Sequence, residues 1–181
     1  MPLIKGERLC LRQATLADLD YIMRLEYAKD NVQFIVPFSR EKHQAIITEV
    51  GDGMDIVVET LDTKEPVGYL LVEGLTELGG HVHEWTHIIV EQKGRGYGHE
   101  VMKLIKAWSF TKKKAHRLWV DCKDWNVRAL HLYESEGLLR EGVFRETLFT
   151  DGVYENLIVL AILEEEYLER CKNGLELGFV G

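Results

Sequence analysis

The sequence predicts an α/β protein in which strands and helices alternate along one domain. An apolar run at residues 88–90 leads through closely spaced glycines into an amphipathic stretch at 101–110, which is the order strand, turn, helix. Helical spacing recurs after Asn126, and Asp151-Gly152 between two long apolar stretches indicates a β-hairpin. A chain of 181 residues lies in the one-domain range, so we expect a single domain over residues 1–181.

The N-terminal half predicts three strands and two helices. Thr15 and Asp18 occupy the two positions of a capping box, so a helix should begin there and continue to about residue 28. Ser39 should cap a second helix that ends near residue 50. The inner face of the first helix is expected to hold Leu19, Ile22, Met23 and Tyr27. The strands are expected at residues 9–12, 55–60 and 67–73.

The C-terminal half predicts four strands and three helices. The strands are expected at residues 85–91, 117–121, 141–150 and 153–163. The helices are expected at residues 97–111, after Asn126, and at 164–172. The last segment, residues 174–181, is expected to be a mobile tail.

The glycines at positions 94, 96 and 98 form the most informative segment. A glycine-rich turn that opens a helix points several backbone N–H groups and the positive helix end at one spot, which suits a phosphate. The dinucleotide pattern G-x-G-x-x-G fails because His99 stands where the last glycine belongs, and no Gly-Lys-Ser/Thr triplet completes a Walker loop. On this loop alone, a simple strand-to-helix turn remains an alternative.

A second segment, Asn126-x-x-Ala129-x-x-x-Tyr133, repeats at helical spacing and ends on Gly137, which suits a helix C-terminus. Seven residues separate Asn126 from Tyr133, so both side chains project from one helix face. The loop and this helix follow one another at the distance that a βαβ unit allows.

Together the two segments resemble the GNAT (GCN5-related N-acetyltransferase) superfamily, whose acyl-CoA loop reads R/Q-x-x-G-x-G/A. Lys93, Gly96 and Gly98 take its first, fourth and sixth positions, with Lys in place of Arg or Gln. The resemblance covers about residues 8–165 and is closest to the branch of ribosomal-protein N-terminal and spermidine acetyltransferases. It implies a central mixed sheet flanked by helices, antiparallel early and parallel at the two strands beside the loop helix.

The resemblance also implies an acyl-CoA-dependent N-acetyltransferase that moves the acetyl group of acetyl-CoA to a primary amine by direct attack in a ternary complex. In that family the asparagine binds the pantetheine arm, the tyrosine protonates the leaving thiolate, and a backbone N–H, here of Val90, polarises the carbonyl. The expected cofactor-binding residues are Ile88, Ile89, Val90, Lys93, Gly94, Arg95, Gly96, Tyr97, Gly98, His99, Asn126 and Ala129. The alternatives are a non-catalytic acyl-CoA-binding or sensory module and a purely structural or partner-binding domain.

A protonated amine must lose a proton before it attacks, so a base is needed near the acetyl group. Glu84 is the first candidate, because glutamates at the matching strand position serve many members of this family. His81, His83 and His87 are the next candidates, and His87 is expected to share a strand face with Trp85 and Ile89. No metal is expected, since no regular ligand spacing is present. An acetyl-cysteine route is not expected either, since no cysteine lies near the motifs with a histidine and a third group to orient it.

Charge is distributed unevenly in this acidic chain, whose formal net charge is −8. Residues 93–117 hold eight basic side chains against one acidic side chain, Glu100, a local excess that favours a polyanion such as CoA. The acidic remainder does not favour nucleic acid. Three separated cysteines and the absence of a long apolar run lead us to expect a cytoplasmic protein with no membrane partner.

The acceptor is not specified by the sequence. In the superfamily, residues of the first two helices and of the C-terminal hairpin contact the acceptor, which corresponds here to residues 27–50 and 144–154. These segments mix aromatic and acidic side chains, so a small-molecule amine such as a polyamine, an aminoglycoside or an amino acid, and a protein N-terminus, all remain open. The hairpin also supplies an exposed edge on which a homodimer could form.

Overall fold

The computed structural model describes residues 1–92 and 94–177. The strands are β1 (Pro2–Lys5), β2 (Leu9–Gln13), β3 (Met54–Thr60), β4 (Pro66–Glu73), β5 (Val82–Val90), β6 (Arg117–Lys123), β7 (Leu139–Thr150) and β8 (Val153–Leu163). The helices are α1 (Leu19–Glu26), α2 (Lys29–Val32), α3 (Arg40–Thr48), α4 (Tyr97–Ala107), α5 (Val127–Ser135) and α6 (Glu164–Lys172). Single 3₁₀ turns at Leu16–Asp18 and Glu77–Gly80 precede α1 and β5, and a π-helical turn at Trp108–Lys112 extends α4.

The strands form one mixed sheet in the order β1-β2-β3-β4-β5-β6-β8-β7. Neighbouring strands are antiparallel except β5 and β6, which are parallel and joined through α4. The predicted α/β fold class, with a mixed sheet whose parallel pair flanks the loop helix, is therefore confirmed. No helix among the described residues is long and apolar enough to cross a membrane.

Two apolar clusters lie on opposite faces of this sheet. The larger packs α4, α5 and α6 against the sheet and includes Trp85 and Trp108. The smaller packs α1 and α3 against β3, β4 and the end of β5, and includes Tyr69 and Ile89. Each strand residue therefore faces either the α4 side or the α1 side of the sheet.

A β-bulge in β5 changes which face its residues occupy. Leu71 pairs with His87, but the next residue of β4, Val72, pairs with Trp85, so β5 contains one extra residue at Thr86. Trp85 consequently belongs to the cluster on the α4 side, whereas His87 contacts Glu26 of α1 on the other side. The expectation that His87 shares a face with Trp85 is wrong, because strict alternation does not continue through a bulge.

The parallel strands β5 and β6 separate soon after they meet. Their pairing covers only Val82 to Glu84 against Arg117 to Trp119. Beyond Glu84 the facing edges of the two strands are free of each other, and a cleft opens between them.

Most predicted elements are confirmed, with boundaries that differ by a few residues. The strand β1 and the short helix α2 were not predicted. The buried face of α1 consists of Leu19, Ile22, Leu25 and Glu26, whereas Tyr27 is exposed, because the helix ends before a full further turn. In the predicted mobile tail, Glu176 is buried and binds Lys106, so residues 174–177 are anchored; residues 178–181 lie outside the described residues.

Candidate active site

The cleft between β5 and β6 encloses about 590 Å³. Its walls are β5 and β6, the glycine turn with the start of α4, the helix α5, and the segment around α2. Of the predicted cofactor residues, the cleft is lined by Ile88, Ile89, Val90, Gly94, Gly96, Tyr97, Gly98, His99, Asn126 and Ala129, together with Tyr133. These residues, chosen from two separate sequence motifs, therefore line one cavity.

Arg95 is the predicted residue of the glycine loop, among those that the structure describes, that does not line the cleft. Lys93 lies outside the described residues. Arg95 is exposed, and its backbone carbonyl accepts a hydrogen bond from Arg8 at 2.9 Å. The guanidinium of Arg8 also lies 5.1 Å from the centre of the Tyr97 ring, and its Nε donates to Glu100. Arg8, which the sequence did not indicate, thus connects β2 to the glycine loop and to α4 through hydrogen bonds.

Gly96 is the N-cap of α4 and has a left-handed conformation with a φ of 74°. A residue with a side chain would be strained there, since this region favours glycine. The turn lets the first N–H groups of α4 open into the cleft beside Gly98 and His99. Backbone donors at a helix N-terminus form a suitable site for a pyrophosphate.

Tyr133 lies in α5 and is 4% exposed. Burial raises the pKa of its phenol well above the usual value, and the neighbouring Cys122 adds to this effect. The phenol is therefore protonated at neutral pH and can act only as a proton donor. Asn126, seven residues earlier, caps α5 by accepting a hydrogen bond from the Ala129 N–H at 3.2 Å, so its amide oxygen is already engaged.

Glu84 lies on the α1 side of the sheet next to other carboxylates. It pairs with Glu73 of β4 and with Trp119 of β6. Because side chains alternate along a strand, Asp121, two residues after Trp119, lies on the same face as Glu84. Burial raises the pKa of Glu84 to about 7, and the charges of Asp121 and Glu73 contribute to the rise. Glu84 does not line the cleft itself, whereas Asp121 does.

The three histidines that were considered as alternative bases lie apart. His81 is exposed at the turn before β5. His83 is fully buried 6.1 Å from the Trp108 ring, and burial lowers the pKa of its imidazole. His87 is buried against Glu26 on the opposite face. None of them lines the cleft, and no three potential metal ligands converge anywhere in the described ranges 1–92 and 94–177.

A family model described as an acetyltransferase (GNAT) domain matches residues 8–138. The chain belongs to the GNAT acetyltransferase family. The predicted acyl-CoA-dependent N-acetyltransferase, with acetyl-CoA as donor and an amine as acceptor, is confirmed at this level.

Several GNAT proteins of known name resemble this chain. The spermidine N(1)-acetyltransferase of Escherichia coli (strain K12) is 28% identical over 170 residues, which make up 90% of this chain and 89% of that protein. The corresponding enzyme of Vibrio cholerae is 31% identical over 85 residues, about half of either chain (47% of this one and 49% of that one). The crystal structure of spermidine N-acetyltransferase from Vibrio cholerae in complex with CoA and spermine superposes with a TM-score of 0.79 at 24% identity, covering 90% of this chain and 99% of that one. That likeness confirms the GNAT fold.

One of the eight basic side chains at residues 93–117, that of Lys106, is neutralised inside this GNAT chain and does not line the cleft. Lys106 is fully buried and donates to the carboxylates of Glu136 and Glu176 and to the Glu136 carbonyl. The side chain of His99, which does line the cleft, is paired with the same Glu136 at 2.8 Å. A charge count along the sequence cannot separate a buried, neutralised lysine from an exposed one.

Several cleft residues escaped the sequence analysis. Thr86 and Asp121 line the cleft, Asp121 on the α1 side of the sheet, and Phe34 lines it as well, with its ring centre 5.3 Å from that of Trp125. Phe34 falls within the segment predicted to contact the acceptor. Asp121 could have been found from the sequence, because it is a carboxylate at the end of a predicted strand, five residues before Asn126 of the GNAT signature. Cys122 also lines the cleft, but burial raises the pKa of its thiol to about 12, so it is a poor nucleophile.

Proposed function

We propose that this GNAT protein transfers the acetyl group of acetyl-CoA to a polyamine. The observation that carries the proposal is the group of three carboxylates, Glu73, Glu84 and Asp121, on one face of the sheet at the acceptor side of the cleft. Burial and mutual repulsion destabilise the negative charges of these carboxylates, as the raised pKa of Glu84, about 7, indicates. A ligand with several ammonium groups would neutralise those charges. Relatives of this chain are named spermidine acetyltransferases, which supports the same class of acceptor.

Glu84 is the proposed general base. Its pKa of about 7 lies close to the operating pH, where a base combines a useful deprotonated fraction with a useful proton affinity. Asp121 lines the cleft and would hold the ammonium group, and the proton would pass from there to Glu84 through a water molecule. The neutral amine would then attack the thioester carbonyl in a ternary complex.

On the donor side, we propose that the glycine turn and α4 bind the pyrophosphate and that Val90 polarises the carbonyl. The N–H of Glu91 donates to the Val67 carbonyl of β4 at 2.8 Å. Consecutive N–H groups of a strand point to opposite edges, so the N–H of Val90 points away from β4 and toward the cleft. Asn126 and Ala129 would border the pantetheine arm.

Tyr133 is the proposed general acid. It lies on the cofactor side of the cleft, opposite Asp121, and its phenol is protonated at neutral pH. When the tetrahedral intermediate collapses, the sulfur of CoA takes the bond electrons and needs a proton. Tyr133 would give that proton to the departing thiolate.

The experiment is a thiol-release assay with acetyl-CoA and a panel of acceptors: spermidine, an aminoglycoside, free amino acids and a peptide with a free N-terminus. We expect spermidine to give the highest kcat/KM, and Asp121→Asn to lower it more for spermidine than for a monoamine, because one carboxylate contact is lost. Higher activity on the peptide, or equal losses for both amines, would contradict a polyamine acceptor. Acetyl-CoA binding by calorimetry without any thiol release would favour a non-catalytic module instead.

The exposed hairpin of β7 and β8 supports a homodimer as part of the same proposal. The long edge strand β7 is exposed along most of its length, and the hairpin exposes the apolar side chains of Val143, Phe144, Phe149, Val153 and Tyr154. An unpaired apolar edge is a site for strand or sheet pairing with a second copy. Light scattering of the purified protein tests this, and Phe144→Glu should shift a dimer toward monomer. The cytoplasm remains the proposed compartment, consistent with free Cys10, Cys122 and Cys171.

A further inference from the structure

Trp85 has an indole N–H that no hydrogen bond accounts for. The residue is 1% exposed, and its Nε1 atom has no hydrogen-bond partner among the described residues. A buried donor without an acceptor destabilises a protein, because it has lost its hydrogen bond to water and gained none in return. The apolar packing of the ring does not need the N–H, so the N–H calls for an explanation.

The β-bulge in β5 directs Trp85 toward the cofactor side of the sheet. There its ring lies 5.7 Å from the ring of Tyr133, with an angle of 58° between the planes. The Trp85 side chain lowers the pKa of the Tyr133 phenol, although burial dominates and the net shift is upward. The unpartnered donor therefore belongs to a ring that packs against Tyr133, the side chain that would acquire negative charge during the proposed reaction.

That charge presents a difficulty for a buried tyrosine. An ordinary thiol has a pKa of about 8.5 and an ordinary phenol one of about 10, so proton transfer from tyrosine to a thiolate is uphill even in water. Burial makes the phenolate still less favourable. A fixed N–H donor forms a weak hydrogen bond with the neutral phenol and a strong one with the phenolate. Such a donor would stabilise the phenolate as its charge develops and so offset the cost of burying it.

We propose that Trp85 is a positioning residue that holds Tyr133 and donates a hydrogen bond to its phenolate while CoA departs. The inference rests on the proposed role of Tyr133 as general acid. In this step the carbon–sulfur bond breaks, its electron pair goes to sulfur, and the proton of the Tyr133 hydroxyl joins that sulfur to give the free thiol. The phenolate accepts the Trp85 N–H until water in the cleft returns a proton to it.

A double-mutant cycle on the full chain tests the proposal. We expect Trp85→Phe to lower kcat roughly tenfold, no more than the loss expected for Tyr133→Phe itself, while KM for acetyl-CoA stays within about twofold. In a Tyr133→Phe background, Trp85→Phe should have no further effect on kcat, because no phenolate forms. If the two losses multiply instead, Trp85 does not act through Tyr133 and the inference is overturned.

The outcomes for Tyr133 and for Trp85 are separable. Near-normal turnover in Tyr133→Phe would overturn both the general acid and its partner, whereas a slow Tyr133→Phe with multiplying losses would overturn the Trp85 role alone. Trp108→Phe is the matched control, since Trp108 is a buried tryptophan on the same side of the sheet with no contact to Tyr133 among its aromatic pairs. This control should leave kcat within about twofold of the parent.

A second substitution keeps the test informative if Trp85→Phe folds poorly. Benzothienylalanine at position 85 replaces the N–H by sulfur and retains the size and shape of the indole, so only the donor is removed. We expect the same loss of kcat with unchanged thermal stability, and an upward shift of the Tyr133 titration in an ultraviolet pH titration, with Tyr133 assigned by the difference from Tyr133→Phe. Normal kcat and an unmoved titration in the benzothienylalanine protein would show that the N–H has no such role.

Discussion

Nδ1 of His43 lies 2.9 Å from Oδ2 of Asp55, and both side chains are buried on the α1 side of the sheet. The other ring nitrogen of His43 lies 3.2 Å from Oε2 of Glu26, which also accepts a hydrogen bond from the Phe38 N–H at 2.8 Å. Tyr69 donates to the same two carboxylates. This buried network connects α1, α3 and the segment before α3 to the central strands.

The network predicts a dependence of stability on pH. Burial alone would lower the pKa of His43, but its bonds to Asp55 and Glu26 outweigh burial and raise it to about 9, above the usual 6.5. This contribution is therefore fully present below about pH 6.5 and is lost as the pH rises through about 9. Burial would raise the pKa of Glu26, but hydrogen bonds from His43 and His87 lower it to about 2, so its contribution is lost as the pH falls from about 4.5 toward 2.

Urea unfolding at several pH values measures this effect. We expect the free energy of unfolding to fall by up to about 3 kcal/mol between about pH 6 and pH 9.5. His43→Gln should be less stable at pH 6 and should lose most of that slope, because glutamine does not titrate. An equal slope in the parent and in His43→Gln would assign the pH dependence to other groups.

The pH profile of kcat/KM should report the base. With Glu84 as base, activity should fall on the acid side with an apparent pKa near 7, and Glu84→Gln should abolish this limb and lower the plateau about 10²-fold. Glu73→Gln is the matched variant: it removes a negative neighbour, so the pKa of Glu84 and the acid limb should both move to lower pH. A limb that stays near pH 7 in Glu84→Gln would remove Glu84 from this role.

Tyr133→Phe should lower kcat by roughly one to two orders of magnitude, since the thiolate would then leave without a proton donor. Acetyl-CoA binding, followed by calorimetry, should change little, because the ring still fills the same space. Tyr167→Phe, a buried tyrosine in α6 that does not line the cleft, serves as the control and should remain active. Turnover close to that of the parent in Tyr133→Phe would point to solvent as the acid.

Arg8→Ala should raise KM for acetyl-CoA about fivefold with little change in kcat. Arg8 connects β2 to the loop through the Arg95 carbonyl and Glu100, and a half-exposed pair of this kind contributes about 1 kcal/mol. Arg117→Ala, which removes an ion pair with Glu141 away from the loop, is the control. If both variants raise KM equally, the contacts of Arg8 with the glycine loop do not account for the change.

Lys106→Met should lower the free energy of unfolding by about 3 kcal/mol, because it leaves the buried carboxylates of Glu136 and Glu176 with fewer partners. Lys103→Met, on the same helix and without a described ion pair, should change stability by less than about 0.5 kcal/mol. Equal stabilities of the two variants, measured by urea unfolding, would show that the buried pair is energetically neutral.

Local signals in the sequence were sufficient for most of the fold. The glycine loop, the capping box at Thr15 and Asp18, and the Asp151-Gly152 turn each specify backbone geometry within a few residues, and each prediction agrees with the structure. The edge strand β1 was missed because Pro2–Lys5 is too short for a periodic pattern. The position of Asp121 in the cleft depends on where β5 and β6 separate, which is a tertiary property that spacing along one strand does not contain.

The same limit applies to charge. Lys106 and Lys103 look alike in the sequence, yet one is buried between two carboxylates contributed by segments 30 and 70 residues away. His43, Asp55 and Glu26 likewise meet only after α1 and α3 pack on the sheet. Such long-range pairs follow from packing, and a single sequence carries no local pattern for them.

The extra residue at Thr86 has a consequence for comparing this protein with its relatives. A related chain without that residue could carry identical side chains on either side of it and still present them to opposite partners. Alignments of β5 should therefore be anchored separately before and after position 86, because a one-residue gap there exchanges the residues that face the α1 side with those that face the α4 side. Grafting a β5 segment between relatives would preserve function only if the insertion is transferred along with the residues that flank it.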